Sequence, residues 1–216
     1  RHNIELFDMV RVDHFRGFVG YWEVPATETD AINGRWVQAP AWDFFAHVKN
    51  ELGDVPIIAE DLGVITPDVT EVRQSFGFPG MKVLLFAFGD DLPTNPYAPH
   101  NFERECVVYT GTHDNNTVCA WFENEATPEQ RDRVRRYLGG HVSGREIHMQ
   151  LIRLAMMSVA KVAIFPMQDV LGLGEEARMN RPATNEGNWL WRLLPEQMDP
   201  ALASQLREMA EIYGRL

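Results

Sequence analysis

The chain is short of cysteine, of basic residues and of long apolar runs, and each shortage removes a class of function. Two cysteines, Cys106 and Cys119, occur among 216 residues, with no CxxC or CxxH near them. That excludes a disulfide framework and a structural zinc site, leaving reduced thiols in a reducing compartment. Lys and Arg number 20 against 31 Asp and Glu, for a net charge of −11. So acidic a chain lacks the clustered cations that grip nucleic-acid backbones or anionic membranes. No apolar run approaches the ~20 residues that span a bilayer, and Arg153 and Lys161 interrupt even the richest stretch. The seven histidines (2, 14, 47, 100, 113, 141 and 148) form no HxH or HxxH pair, which counts against a multi-histidine metal centre. An initiator Met and a signal peptide are missing too: the chain opens Arg1-His2-Asn3. That opening reads as a piece of a longer protein.

What is present is a 45% hydrophobic composition, ordinary for a globular core. Short apolar runs alternate with helical segments. Residues 7–13, 55–60, 81–86, 106–110 and 162–167 read as strands, β-branched or aromatic and nearly continuous, as strands buried on both faces do. Helices are predicted between them. One covers 42–52 and ends at Gly53, and another starts at the Thr66-Pro67 cap and runs to 75. Thr127 with Gln130, and Ser143 with Glu146, read as capping boxes, the second opening a long helix to 160; a last helix spans 200–213. Five strand–helix units imply a parallel α/β architecture. A closed eight-stranded barrel takes ~250 residues, so the choice lies between a small open sheet and the back part of a barrel. The first strand, starting by residue 7 with nothing before it, favours the partial barrel.

Three carboxylates follow apolar runs: Asp13 after Val10-Arg11-Val12, Glu60 after Ile57-Ile58-Ala59, and Asp114 within Thr110-Gly111-Thr112-His113-Asp114. In α/β folds the C-terminal strand ends carry the chemistry, so three acids there would face one mouth. The competing reading makes each acid the cap of the next helix or turn. It is weakest at Glu60, because Glu caps poorly. Period-2 alternation sets Arg11 and Asp13 on one strand face. A guanidinium keeps a neighbouring carboxylate ionised, which makes Asp13 a nucleophile. The apolar run before Glu60 favours its protonated form, which suits a proton donor. Such a division of labour fits acid/base work on a glycosidic bond. Tyr21, Trp22, Trp36, Trp42, Trp121, Trp189 and Trp191 offer flat faces on which sugar rings stack, although core packing explains any single one as well.

Longer motifs support this reading. Arg11-Val12-Asp13-His14-Phe15-Arg16-Gly17-Phe18 with Tyr21-Trp22, then Ile58-Ala59-Glu60-Asp61-Leu62-Gly63, then Gly111-Thr112-His113-Asp114-Asn115 together resemble the 4-α-glucanotransferases. These are the amylomaltase or disproportionating-enzyme family of the α-amylase superfamily. Pro166-Met167-Gln168-Asp169-Val170-Leu171-Gly172-Leu173 resembles the same family, as does Met179-Asn180-Arg181-Pro182 through Asn188-Trp189. The resemblance implies a (β/α)8 TIM-type barrel, represented over residues 1–216 by its C-terminal portion. It also implies a retaining double displacement on α-1,4-glucans or maltooligosaccharides, with no cofactor and no metal. On that resemblance Asp13 is the nucleophile, Glu60 the general acid/base and Asp114 the transition-state stabiliser. Arg11 and His113 are their direct partners, and Trp22, Gln168 and Asn188 are further substrate contacts. Ala39, Ala41 and Ala183 stand where the family often has Gly, so these loops are expected to be stiffer. The barrel's first strands and the family's substrate-covering insertions are expected to lie outside the sequence.

Two other readings compete. Asp13-His14, Glu60-Asp61 and His113-Asp114 could ligate a metal in a barrel hydrolase. Alternatively, the chain is a non-catalytic half-barrel that self-associates through exposed strand edges. No nucleic-acid or membrane partner is expected, and the location is the cytoplasm, or the plastid for a plant source.

Overall fold

The computed structural model describes residues 1–216, and these fall into two compact units, Arg1–Met81 and Lys82–Leu216. In the first unit, helix α1 (His2–Leu6) leads to strand β1 (Val10–Val12) and a 3-10 turn at Phe15–Phe18. A hairpin of β2 (Gly20–Glu23) and β3 (Arg35–Gln38) follows, then α2 (Ala41–Leu52), β4 (Ile57–Ala59) and α3 (Pro67–Ser75). Strand β5 (Gly80–Val83) carries the chain across the boundary between the units. β1 and β4 pair in parallel, Val10 on Ile57, Arg11 on Ile58 and Val12 on Ala59. The core beneath them gathers Phe15, Val19, Phe45, Ile57, Ala59, Val69, Val72 and Phe78, with Phe15 stacked on Phe45 at 5.3 Å. Each such ring contributes about 1.5–3 kcal/mol by leaving water. Within this unit an ion pair joins Arg73 to Asp61 at 3.1 Å, its side chains 6% and 12% exposed.

In the second unit come β6 (Cys106–Tyr109), α4 (Val118–Ala120) running into a π-helical turn at Trp121–Glu125, α5 (Pro128–Leu138) and α6 (Ile147–Met157). β7 (Val162–Ile164), α7 (Met167–Val170) and α8 (Pro200–Ile212) complete it. β6 and β7 are parallel, with Val107 opposite Val162. β6 is buried along its whole length, which is why its sequence shows no alternation. α6 turns Ile152 and Met156 onto Val170 and Met209. No helix is long and apolar enough to cross a membrane. Both cysteines are buried and not disulfide-linked, and burial pushes the Cys119 thiol up to about 11.

The parallel α/β reading stands, with differences at particular elements. The strands are shorter than their apolar runs, and the one expected over 81–86 starts at Gly80 and tightens into a 3-10 turn from Leu84. The β2–β3 hairpin has no counterpart among the expected strands. Tyr21, Trp22 and Trp36 on it are exposed, so no buried face imposes a period on the sequence. Thr127 and Gln130 form the expected reciprocal capping box. Ser143 and Glu146 do not: their side chains bond each other at 2.7 Å, and α6 begins after Glu146 and stops at Met157.

Candidate active site

Asp13 and Glu60 are the residues that directly follow β1 and β4. Because those strands pair in register, the ladder continues past their ends. Val12 C=O accepts from Glu60 N–H at 3.0 Å, and Glu60 C=O accepts from Phe15 N–H at 3.0 Å. The two acids therefore leave the same end of adjacent strands, whose backbones run about 4.8 Å apart. Arg11 donates to Asp13 Oδ1 at 2.6 Å, and its Nε points at Met81 Sδ, 3.3 Å away. The Asp13 side chain is 75% exposed, so it is open to an incoming ligand while its partner Arg11 stays mostly covered.

Glu60 is held by backbone amides: His14 N–H donates to Oε2 at 2.7 Å and Leu62 N–H to Oε1 at 3.0 Å. The apolar surroundings expected from its sequence neighbours stop at the strand end. Ile57, Ile58 and Ala59 are buried, whereas the Glu60 carboxyl meets polar donors. His14 supplies its amide from a left-handed conformation, φ +48°, which is sparsely populated by non-glycine residues. Asp61, next in sequence, accepts Met81 N–H at 2.7 Å and pairs with Arg73.

In the second unit Asp114 stands in the loop beyond β6, not at the strand end. Its Oδ1 accepts the Asn180 amide at 2.6 Å and lies 3.4 Å from His113 Nε2. Its carbonyl accepts from Arg178 at 2.9 Å. Arg178 also reaches Glu125 at 3.3 Å, and Glu125 accepts from Asn116 at 2.8 Å. Asn180 N–H donates to His113 C=O at 3.0 Å, and the His113 ring lies 5.2 Å from that of Trp189. Trp189 is itself left-handed at φ +62°, held by its N–H on Met179 C=O at 2.7 Å.

The remaining candidates have other surroundings. Trp22 lies on the hairpin, edge-on to Trp36 at 5.5 Å, with its indole N–H on Ala31 C=O at 2.8 Å. Gln168 is buried and donates to Ala177 C=O at 3.2 Å. Asn188 closes its own loop, accepting from Arg181 N–H at 2.9 Å and donating to Thr184. Trp121, one of the aromatics considered for sugar stacking, is core. Of the three Gly-to-Ala departures, Ala183 has a left-handed backbone, φ +62°; Ala41 is a buried residue in α2. The sequence alone singles out no role for Asn180, Arg178 or the amide of His14. Their partners lie far along the chain, and the one available signal is that Asn180 and His14 stand inside motifs already recognised, while Arg178 stands just before one.

The chain as a whole is similar to known proteins. Residues 1–197 match the family described as 4-alpha-glucanotransferase. The chain is 50% identical to the 4-alpha-glucanotransferase of Thermus thermophilus over 99% of its own length and 43% of that protein. It is 50% identical to the chloroplastic/amyloplastic 4-alpha-glucanotransferase of Solanum tuberosum over 98% of itself and 37% of that protein. Its fold superposes on the amylomaltase from Streptococcus agalactiae, solved in complex with acarbose, with a TM-score of 0.94 at 37% identity, covering 99% of this chain and 43% of that one. The chain thus spans about two-fifths of the length of these relatives. On the family match and the two sequence relatives, the chain belongs to the 4-alpha-glucanotransferase family.

Proposed function

We propose that residues 1–216 form the C-terminal portion of a (β/α)8 barrel and supply the reacting carboxylates of a retaining glucanotransferase acting on α-1,4-glucans. The observation that carries this reading is the register of β1 with β4, which sets Asp13 and Glu60 side by side at one strand end. Asp13, beside Arg11, attacks the anomeric carbon as Glu60 gives its proton to the departing glycosidic oxygen. The C–O bond breaks, and an ester to Asp13 forms. Asp114, ionised, stabilises the positive charge that builds on the sugar ring. Glu60 then takes the proton of an acceptor 4-hydroxyl, whose oxygen attacks the same carbon and frees Asp13. Transfer results with a glucan acceptor, hydrolysis with water. No cofactor enters these steps.

The acarbose held by the Streptococcus agalactiae relative supports an oligosaccharide substrate. The metal-hydrolase alternative finds no support in the family match. We place the protein in the cytoplasm, or in the plastid for a plant source, as the name of the potato relative suggests. In the full-length enzyme, Asp13→Asn is expected to lower maltotriose disproportionation by roughly a thousandfold or more. Wild-type product ladders from that variant would overturn the nucleophile assignment.

A further inference from the structure

Asp169, 1% exposed, belongs to none of the reacting groups, yet its two oxygens reach both ends of the segment that bears Asp114. Oδ2 accepts the hydroxyl proton of Thr110 at 2.5 Å, and Oδ1 accepts the backbone N–H of Val118 at 2.8 Å. Thr110 directly follows β6 and Val118 opens α4, so residues 111–117, with His113 and Asp114, lie between these two points. Inside them the chain is tied to itself: Asn115 Oδ1 accepts from Thr112 N–H at 2.8 Å and from its hydroxyl at 3.0 Å. Asp169 is fixed in turn, its carbonyl accepting from His148 Nδ1 at 2.7 Å.

We infer that Asp169 is a positioning residue, a bracket that closes both ends of the Asp114 loop and so sets where that carboxylate stands. The inference rests on the proposed glucan-transfer function, in which Asp114 meets the transition-state charge. A Leu at 169 would fill the space but leave the Val118 amide and the Thr110 hydroxyl, both buried, without an acceptor. A carboxylate serves because it presents two acceptor oxygens about 2.2 Å apart on a rigid plane, one for each loop end. Burial pushes the Asp169 carboxyl upward from its ordinary range, and the bonds from Thr110 and Val118 oppose that shift. Small displacements matter here: a misplacement of about 1 Å in a reacting constellation can cost a hundredfold in rate.

The test pairs Thr110→Val, which removes one hydroxyl at constant shape, with Thr110→Ser, which restores it, and with Asp169→Ala. In this chain, amide exchange at residues 112–116 is expected to quicken about tenfold in Thr110→Val and more in Asp169→Ala, and to return with Thr110→Ser. In the full-length enzyme kcat falls about tenfold in Thr110→Val at unchanged KM, again restored by Ser. Should Asp169→Ala fail to fold, the Thr110 pair decides. Wild-type exchange and kcat in Thr110→Val overturn the bracket. Asp114→Asn is run beside them: if it retains full turnover, the glycosyl-transfer reading fails, while the exchange data still judge the bracket.

Discussion

Asp13 and Glu60 are presented by strands, Asp114 by a loop, and the two cases show what each presentation demands. In the first unit, register alone does most of the placing. Once Val12 pairs with Ala59, the next residues stand beside each other, and the ladder bonds through Glu60 keep them there. Two further bonds are local, Arg11 on Asp13 and the Leu62 amide on Glu60, each two residues away, and one is not: the His14 amide reaches Glu60 from 46 residues away. In the second unit no ladder reaches Asp114. Its place depends on Asn180 and Arg178, 66 and 64 residues away in sequence, and on Asp169 at the loop ends. Backbone strain follows the same division. Among non-glycine residues, the strand site contains one left-handed residue, His14, whereas the segment anchoring Asp114 contains Ala183 and Trp189. Ladder bonds are shared with the fold's own stability, but a loop must be held by bonds made for it.

The sharpest way to test this contrast is to attack the framework under Glu60. Arg73 and Asp61 are a buried ion pair, and Asp61 also anchors Met81 N–H. Arg73→Met takes a cation from that largely covered carboxylate, and should lower the stability of the chain by about 3–5 kcal/mol in urea unfolding. A loss under about 1 kcal/mol would mean that the strand pair stands without it. On the loop side, Asn180→Ala removes the 2.6 Å bond to Asp114. Turnover in the full-length enzyme should fall roughly tenfold, the effect of one charge-assisted hydrogen bond, with little change in unfolding midpoint. Unchanged turnover would show that a loop-borne acid needs no such anchor. Smallest is Ala183→Gly. Relief of the left-handed Cβ clash at φ +62° outweighs the extra freedom of Gly by up to about 1 kcal/mol, so the urea midpoint should rise slightly. A fall would place the stiffness of this loop elsewhere.

The strand-borne candidates Asp13 and Glu60 were legible because their signal is local. An acid at the end of a β-branched run, with Arg two residues earlier, needs nothing from the distant chain to be noticed. The loop-borne candidate Asp114 was legible only within the motif Gly111-Thr112-His113-Asp114-Asn115, without its supports. The hairpin escaped because both of its faces hold exposed side chains, so nothing forced an alternation on residues 20–38. Cys119 through Phe122 escaped for the opposite reason: they are buried together, and a segment apolar on every side shows no period. Gln168 and its neighbour Asp169 share a motif but have different surroundings. Its amide, expected to contact substrate, is tied to Ala177 C=O inside the unit, while Asp169 spans the loop ends.

By itself the order of residues settled most of the strands and helices, that they alternate, and that Asp13 and Glu60 stand where strands give out. Those features depend on side-chain shape and on neighbours a few positions away. Tertiary structure decided the rest: that β1 lies against β4 in one register, that a carboxylate 59 residues from Thr110 accepts a hydrogen bond from its hydroxyl, and that Asn180 reaches Asp114. Such bonds join groups whose meeting requires the whole intervening chain to fold, and no periodicity in the intervening sequence encodes them.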